Sequence, residues 1–200
     1  MKKIVKNIFL LCAALIVVSC STNRLIRKAN EDFTSFRYQE AIKKYTKVLE
    51  KREDMCAMQN IGRSYFKINE YELSENWYRR AMQKEELGPD FQMDFVKVLI
   101  SNNKYDEAQM WLSSYEKKRP NDPLIDVLKE EMQNFGDYLT DSFFYKVDEI
   151  NINSTESSFS PIMYKNGIVF TSQRPVHGKN EQDTWTGNSC FNLFYSEMDE

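Results

Sequence analysis

Between residues 25 and 140, apolar side chains recur three and four positions apart, the spacing that gathers a single stripe on an α-helix. Three stretches show it in register: FRYQEAIKKYTKVLE, NEYELSENWYRRAMQ and NKYDEAQMWLSSYEK. Tyr38, Tyr71 and Tyr105 correspond at spacings of 33 and 34 residues, and so do Ala41, Ser74 and Ala108. Two further columns follow, Tyr45, Tyr78 and Leu112, then Val48, Ala81 and Tyr115. A hairpin of two one-striped helices cannot bury its own apolar face, so about three units form the smallest stable stack. After Pro120, Asp122 is placed to cap a seventh helix, Pro123 to open it and Gly136 to end it. That helix would cover the last hairpin.

From Phe143 the period changes. YKVDEININS alternates as a strand does, Asn166-Gly167 is a hairpin turn pair flanked by PIMY and IVFTS, and NLFYS adds another short apolar run. Three or four short strands amount to one small antiparallel sheet, and its two edges would be open.

The first residues have a different layout. Lys2, Lys3 and Lys6 precede an apolar run from Ile8 to Val18, and small Ser19 stands before Cys20, as in a secretory signal. The run is too short to span a hydrocarbon core of about 30 Å as a helix. Two readings remain open for residues 1–19, a plain signal followed by an incidental cysteine or a signal for lipidation. VVSCST resembles a bacterial lipobox, with Val17, Val18, Ser19 and Cys20 in its four slots, which implies a covalent lipid on Cys20. Two or three acyl chains anchor a protein stably where one does not. Ser21 resembles the residue after the cysteine in outer-membrane lipoproteins, and STNRLIRK lacks the acidic cluster of surface-exported ones, so a periplasm-facing body is expected.

Loss of the three signal lysines leaves 24 basic against 30 acidic residues, a net charge near −6 that offers nucleic acid no attraction. Cys56 and Cys190 have no disulfide framework around them and are expected to be unpaired. The sequence shows no Gly-rich phosphate loop, no metal-ligand cluster and no nucleophile with a base. His177, the single histidine, lies between Pro175 and Gly178 in a polar stretch and reads as a solvated loop residue. A non-enzymatic chain without a cofactor other than the Cys20 lipid is expected.

The repeats resemble the tetratricopeptide (TPR) repeat, which implies a mainly α fold: about three α-α hairpins plus a capping helix. The middle copy is the best match, through Ile61, Gly62, Tyr65, Tyr71, Ser74, Tyr78 and Ala81. In the first copy Ala29 takes the Gly slot and Asp32 stands where Tyr is usual, and in the third Val96 and Leu99 fill those slots. By register with the family, Asn30, Phe33, Gln59, Arg63, Phe66, Lys67, Met93 and Lys97 face a concave groove. Arg63, Lys67 and Lys97 would give it a positive stripe suited to an acidic or C-terminal-carboxylate peptide, unless these are ordinary solvated helix faces.

The β segment resembles the first blade of a TolB-type β-propeller, through Ser160, Pro161, Gly167, Val169, Phe170, Ser172, Arg174 and the closing run Leu193 to Asp199. A propeller needs about four to eight blades, which implies a chain that continues beyond residue 200. The expected organisation is a signal at 1–19, a lipidated linker at 20–24, TPR repeats with their cap at 25–140 and the blade at 141–200. Lipobox, TPR and TolB-type propeller in this order resemble PorE-type outer-membrane lipoproteins of the Bacteroidetes type IX secretion apparatus, which continue into an OmpA-like domain. The resemblance implies a scaffold with envelope or secretion-system partners, touching peptidoglycan only through a domain outside these residues. Two other classes stay in view. SusD-like glycan-binding lipoproteins also join a lipid anchor to TPR helices but carry no blade, and some peptidases begin with such blades but keep their serine on a later domain.

Overall fold

The computed structural model describes residues 21–84, 86, 88–140, 146, 148–176 and 181–197. The expected signal at 1–19, the lipobox-like stretch with Cys20, and His177 lie outside the described residues. The chain divides into two compact units, Met1–Asn134 and Phe135–Glu200.

Seven helices occur among the described residues. α1 covers 21–34, followed by α2 (Tyr38–Leu49), α3 (Met55–Lys67), α4 (Tyr71–Met82), α5 (Pro89–Ser101), α6 (Tyr105–Lys118) and α7 (Leu124–Thr140). They form the expected TPR-like hairpins, α1 with α2, α3 with α4 and α5 with α6, with α7 after the third. Each start has a local cause. Asp54 accepts from the Ala57 N–H at 2.9 Å and caps α3, and Pro89 sits in the first turn of α5, where its missing N–H costs nothing. Asp122 accepts from the Leu124 N–H at 3.0 Å at the head of α7.

The turns inside the hairpins repeat as well. Phe36, Asn69 and Asn103 all adopt positive φ, at 60°, 64° and 58°, and each is followed after one residue by the tyrosine that opens the next helix. Asn tolerates this left-handed conformation, whereas a bulky Phe does so at a cost.

The apolar columns become the core. Ala41, Ser74 and Ala108 are fully buried between helices, as are Tyr78, Leu112, Val48 and Ala81. Ala29, Gly62 and Val96 occupy the tight crossing of each hairpin. At Gly62 an added Cβ would stand 2.9 Å from two carbons of the Tyr78 ring, and the Ser74 hydroxyl donates to the Gly62 carbonyl at 2.7 Å. Only a glycine lets α3 and α4 come this close.

Two buried carboxylates tie the helices together. Asp32, in the column held elsewhere by Tyr65 and Leu99, receives Arg37 at 2.6 Å and also pairs with Lys44. Burial pushes its carboxyl up, but Lys44 and Arg37 outweigh that and hold it below the usual range. Glu75 accepts from Arg79 at 2.8 Å, Lys104 at 2.6 Å and Asn102 at 2.6 Å, which joins α4 to the third repeat. Its carboxyl too is held low against the effect of burial.

The second unit contains an antiparallel sheet of three strands in the order β1 (Ser158–Tyr164), β2 (Gly167–Ser172), β3 (Asn192–Glu197). Several sequence expectations are corrected here. The turn is Lys165-Asn166, with Lys165 at φ 51°, because Tyr164 already pairs with Gly167. Gly167 belongs to β2, where an added Cβ would meet the Ser196 carbonyl oxygen at 2.3 Å. Asn166 instead accepts from the Tyr195 hydroxyl at 2.7 Å. Pairing shifts between Phe159 and Ile162, so Ser160, at φ 53°, and Pro161 form a bulge that removes the proline from the ladder.

The described part of YKVDEININS is not a strand. The Arg174 guanidinium donates to the Ile152 carbonyl and to the Ser154 hydroxyl, so side-chain bonds hold this stretch in place of a ladder. Gly136 does not end α7, which continues to Thr140. A glycine stops a helix when its φ turns positive; otherwise it only weakens it by about 1 kcal/mol.

Candidate functional site

The first helices of the three hairpins, α1, α3 and α5, bring five of the eight expected groove residues to one place. Phe33 from α1, Arg63, Phe66 and Lys67 from α3, and Lys97 from α5 line a pocket of about 290 Å³. Two further lining residues were not expected there, Tyr78 from α4 and Asp94 from α5.

The walls are fixed by packing. Phe33 meets Tyr38 edge-on at 5.4 Å, and Phe66 meets Tyr71 at 5.5 Å, so each groove phenylalanine leans on the tyrosine that opens the second helix of its own repeat. The Arg63 guanidinium lies 4.1 Å over the Phe91 ring, and its Nε donates to Asp94 Oδ2 at 2.6 Å. Stacking and ion pair together settle where the fork of donors sits. With Lys67 and Lys97 present, the lining carries three cations and one carboxylate.

Tyr78 forms the deepest part. Its side chain is fully buried, and its hydroxyl, within the influence of the Arg63 guanidinium, has no acceptor for its proton. Burial pushes the phenol well up, the charge of Asp94 adds to the rise, and Arg63 opposes it. The group is therefore a neutral hydroxyl over the whole working pH range.

The other three expected residues sit elsewhere. Gln59 and Met93 are only 1% and 4% exposed and pack into the core, where the Gln59 side-chain amide nitrogen lacks a partner. Asn30 is exposed, and its Oδ1 accepts from the Tyr45 hydroxyl at 2.5 Å. Burial pushes that phenol up to about 12.

A second hollow of about 440 Å³ lies around Glu75, Asn102 and Lys104, but these three are already bonded to one another through the Glu75 carboxylate. Among the described residues no group of His, Cys, Asp and Glu is arranged to hold a metal ion. No helix among them is long and apolar enough to cross a membrane, and Cys56 and Cys190 are both free thiols.

No protein-family model matches the chain, and no curated protein matches it. Solved TPR domains do. The Arabidopsis OM64 TPR domain superposes with a TM-score of 0.53 at 12% identity, over 57% of this chain and 96% of that one. The second TPR domain of human RPAP3, in complex with the HSP70 peptide SGPTIEEVD, gives 0.52 at 16% identity, over 58% of this chain and 98% of that one. The first TPR of Spaghetti (RPAP3), bound to the HSP90 peptide SRMEEVD, gives 0.50 at 19% identity, over 60% and 93%. At these identities the likeness establishes the fold.

Proposed function

We propose that the helical unit is a non-enzymatic protein-interaction module whose groove binds an extended segment through a carboxylate. The observation that carries this reading is the convergence of Arg63, Lys67 and Lys97 between the Phe33 and Phe66 rings. Positive groups over apolar walls suit an acidic side chain or a free C-terminus, because charge gives direction and the rings give contact area. The peptides held by two of the structural neighbours, SGPTIEEVD and SRMEEVD, are acidic, which supports the same class of ligand here.

Titration of labelled SRMEEVD into the full chain tests the groove. Binding should weaken about tenfold when Lys67 and Lys97 are both changed to Ala, and should fall with added salt. Binding that ignores both changes would sink this reading.

Around this module we place a wider role as an outer-membrane lipoprotein facing the periplasm, a scaffold that joins the type IX secretion apparatus to the cell envelope. Its supports are the lipobox ending in Cys20, the repeats and the blade-like sheet in one chain. Palmitate labelling of the native protein that persists in a Cys20→Ala variant would remove the anchor from this picture. A native bait that brings a glycan transporter in place of secretion components would remove the scaffold.

A further inference from the structure

Asp94 is the one acid among the pocket's lining residues, and it occupies Arg63, the group that a ligand carboxylate would seek. We propose that Asp94 is a resident carboxylate: it holds Arg63 in the ligand-free groove, gives way to the carboxylate of the bound segment, and is then received by the Tyr78 hydroxyl. The proposal rests on the carboxylate-binding reading of the groove.

Three observations lead to it. First, the Arg63–Asp94 pair is poised for exchange. It measures 2.6 Å, yet both side chains remain 30% exposed, so water and an incoming carboxylate can reach it. A guanidinium offers five donors in a planar fork, and stacking on Phe91 keeps that fork in place while its acceptor changes. Second, two carboxylates beside one guanidinium repel each other, which favours exchange over simple addition of a ligand to the pair.

Third, the structure holds a place for it to turn to. The Tyr78 hydroxyl is buried with no acceptor for its proton, an arrangement that folded proteins rarely leave unrelieved. It borders the same pocket as Asp94, and the charge of Asp94 already reaches the phenol. A carboxylate leaving Arg63 would find there a neutral donor that no other group uses. The exchange therefore keeps one carboxylate on Arg63, adds a hydrogen bond from the Tyr78 hydroxyl to Asp94, and removes one buried defect.

As a consequence, Asp94 acts as an internal competitor. It weakens the affinity for any carboxylate that reaches Arg63, and it screens out ligands that offer none.

The test uses the full chain, Asp94→Ala, Tyr78→Phe and the double variant, with labelled SRMEEVD as probe. Two altered probes accompany it, the C-terminally amidated peptide and SRMQQVN, which separate a terminal carboxylate from a side-chain one. Asp94→Ala should tighten SRMEEVD binding about tenfold by removing the competitor and its repulsion. Tyr78→Phe keeps the ring in the core, should not lower the unfolding midpoint, and should weaken binding only while Asp94 is present. One of the two altered probes should lose the gain made by Asp94→Ala, and which one does so identifies the carboxylate that enters.

Equal or weaker binding by Asp94→Ala, when the unaltered chain binds, overturns the exchange and leaves the groove reading intact. Absence of binding by both overturns the two together. Binding by Asp94→Ala alone supports the exchange in its strongest form. A gain retained with both altered probes overturns it.

Discussion

Gly62→Ala opposes two effects whose sizes can be compared. In the middle of α3, alanine gains about 1 kcal/mol over glycine through helix propensity. Against this, the new methyl would sit 2.9 Å from Cδ2 and Cε2 of Tyr78 and 3.4 Å from the Ser74 carbonyl oxygen. The ring has little room to yield, because Phe95 packs against it with ring centroids 5.8 Å apart and both residues are fully buried. Overpacking of this kind costs about 1–3 kcal/mol. Moving the helices apart instead would strain the 2.7 Å bond from Ser74 to the Gly62 carbonyl, at about 1 kcal/mol. The expected net effect is a loss of up to about 2 kcal/mol.

Ala29 makes this a stringent test, since the same column in the first repeat already carries a methyl opposite Tyr45. There the neighbour in the core is Ile61, where Tyr78 has Phe95. Urea unfolding followed by helix circular dichroism, for Gly62→Ala, Tyr78→Leu and the double variant, measures both the loss and its coupling to the ring. A gain of about 1 kcal/mol for Gly62→Ala, or additivity with Tyr78→Leu, would refute the close-approach argument.

Phe36→Asn should stabilise the chain by about 1 kcal/mol, seen as a raised urea midpoint, because it puts at φ 60° the residue type that the other two repeats use there. Asp32 and Glu75 have folded-state carboxyls held below their unfolded values, so they contribute stability that is fully present above about pH 4.5 and is lost as pH falls through the folded values. Asp32→Asn and Glu75→Gln should lower stability at pH 7 and flatten its decline below that point in a series of pH-dependent melts. Gly167→Ala should unfold the hairpin, because the Ser196 carbonyl leaves no room at 2.3 Å; loss of sheet signals in amide hydrogen exchange reports it, while the signals of the helical unit stay.

The helical unit was legible in the sequence because its columns are set by sterics. Ala41, Ser74 and Ala108 are small since two helices cross there, and any chain that makes this crossing three times must show it three times. Asp94 escaped for the opposite reason. It meets Arg63 across 31 residues, between adjacent repeats and off the 33- and 34-residue register, so no column connects the two. A weaker signal was present: Asp94 precedes Lys97 by three positions on one helix, which puts both on the face assigned to the groove. Tyr78 was visible only as a core residue, and no sequence pattern tells whether a buried phenol finds a partner. In the sheet, Asn-Gly was read by its usual role in turns, but the 2.3 Å approach of Ser196 depends on a third strand thirty residues away.

The columns divide the unit into parts with different freedom. Most of those that repeat in chemistry are buried, Ala41, Ser74 and Ala108 among them, and they set the spacing of α1, α3 and α5. Asn30, Arg63 and Lys97 share a column, as do Asn60 and Asp94, and these change in charge from one repeat to the next. Because the spacing is held by the constant columns, a change in the variable ones alters what the groove attracts without moving the helices that carry it. Tyr78 is the exception, since its ring belongs to the constant set and its hydroxyl to the groove. Any substitution that shifts this ring, Gly62→Ala included, therefore acts on fold and site at once, and its effect on binding should exceed that of an equally destabilising change at Ala108 or Leu112.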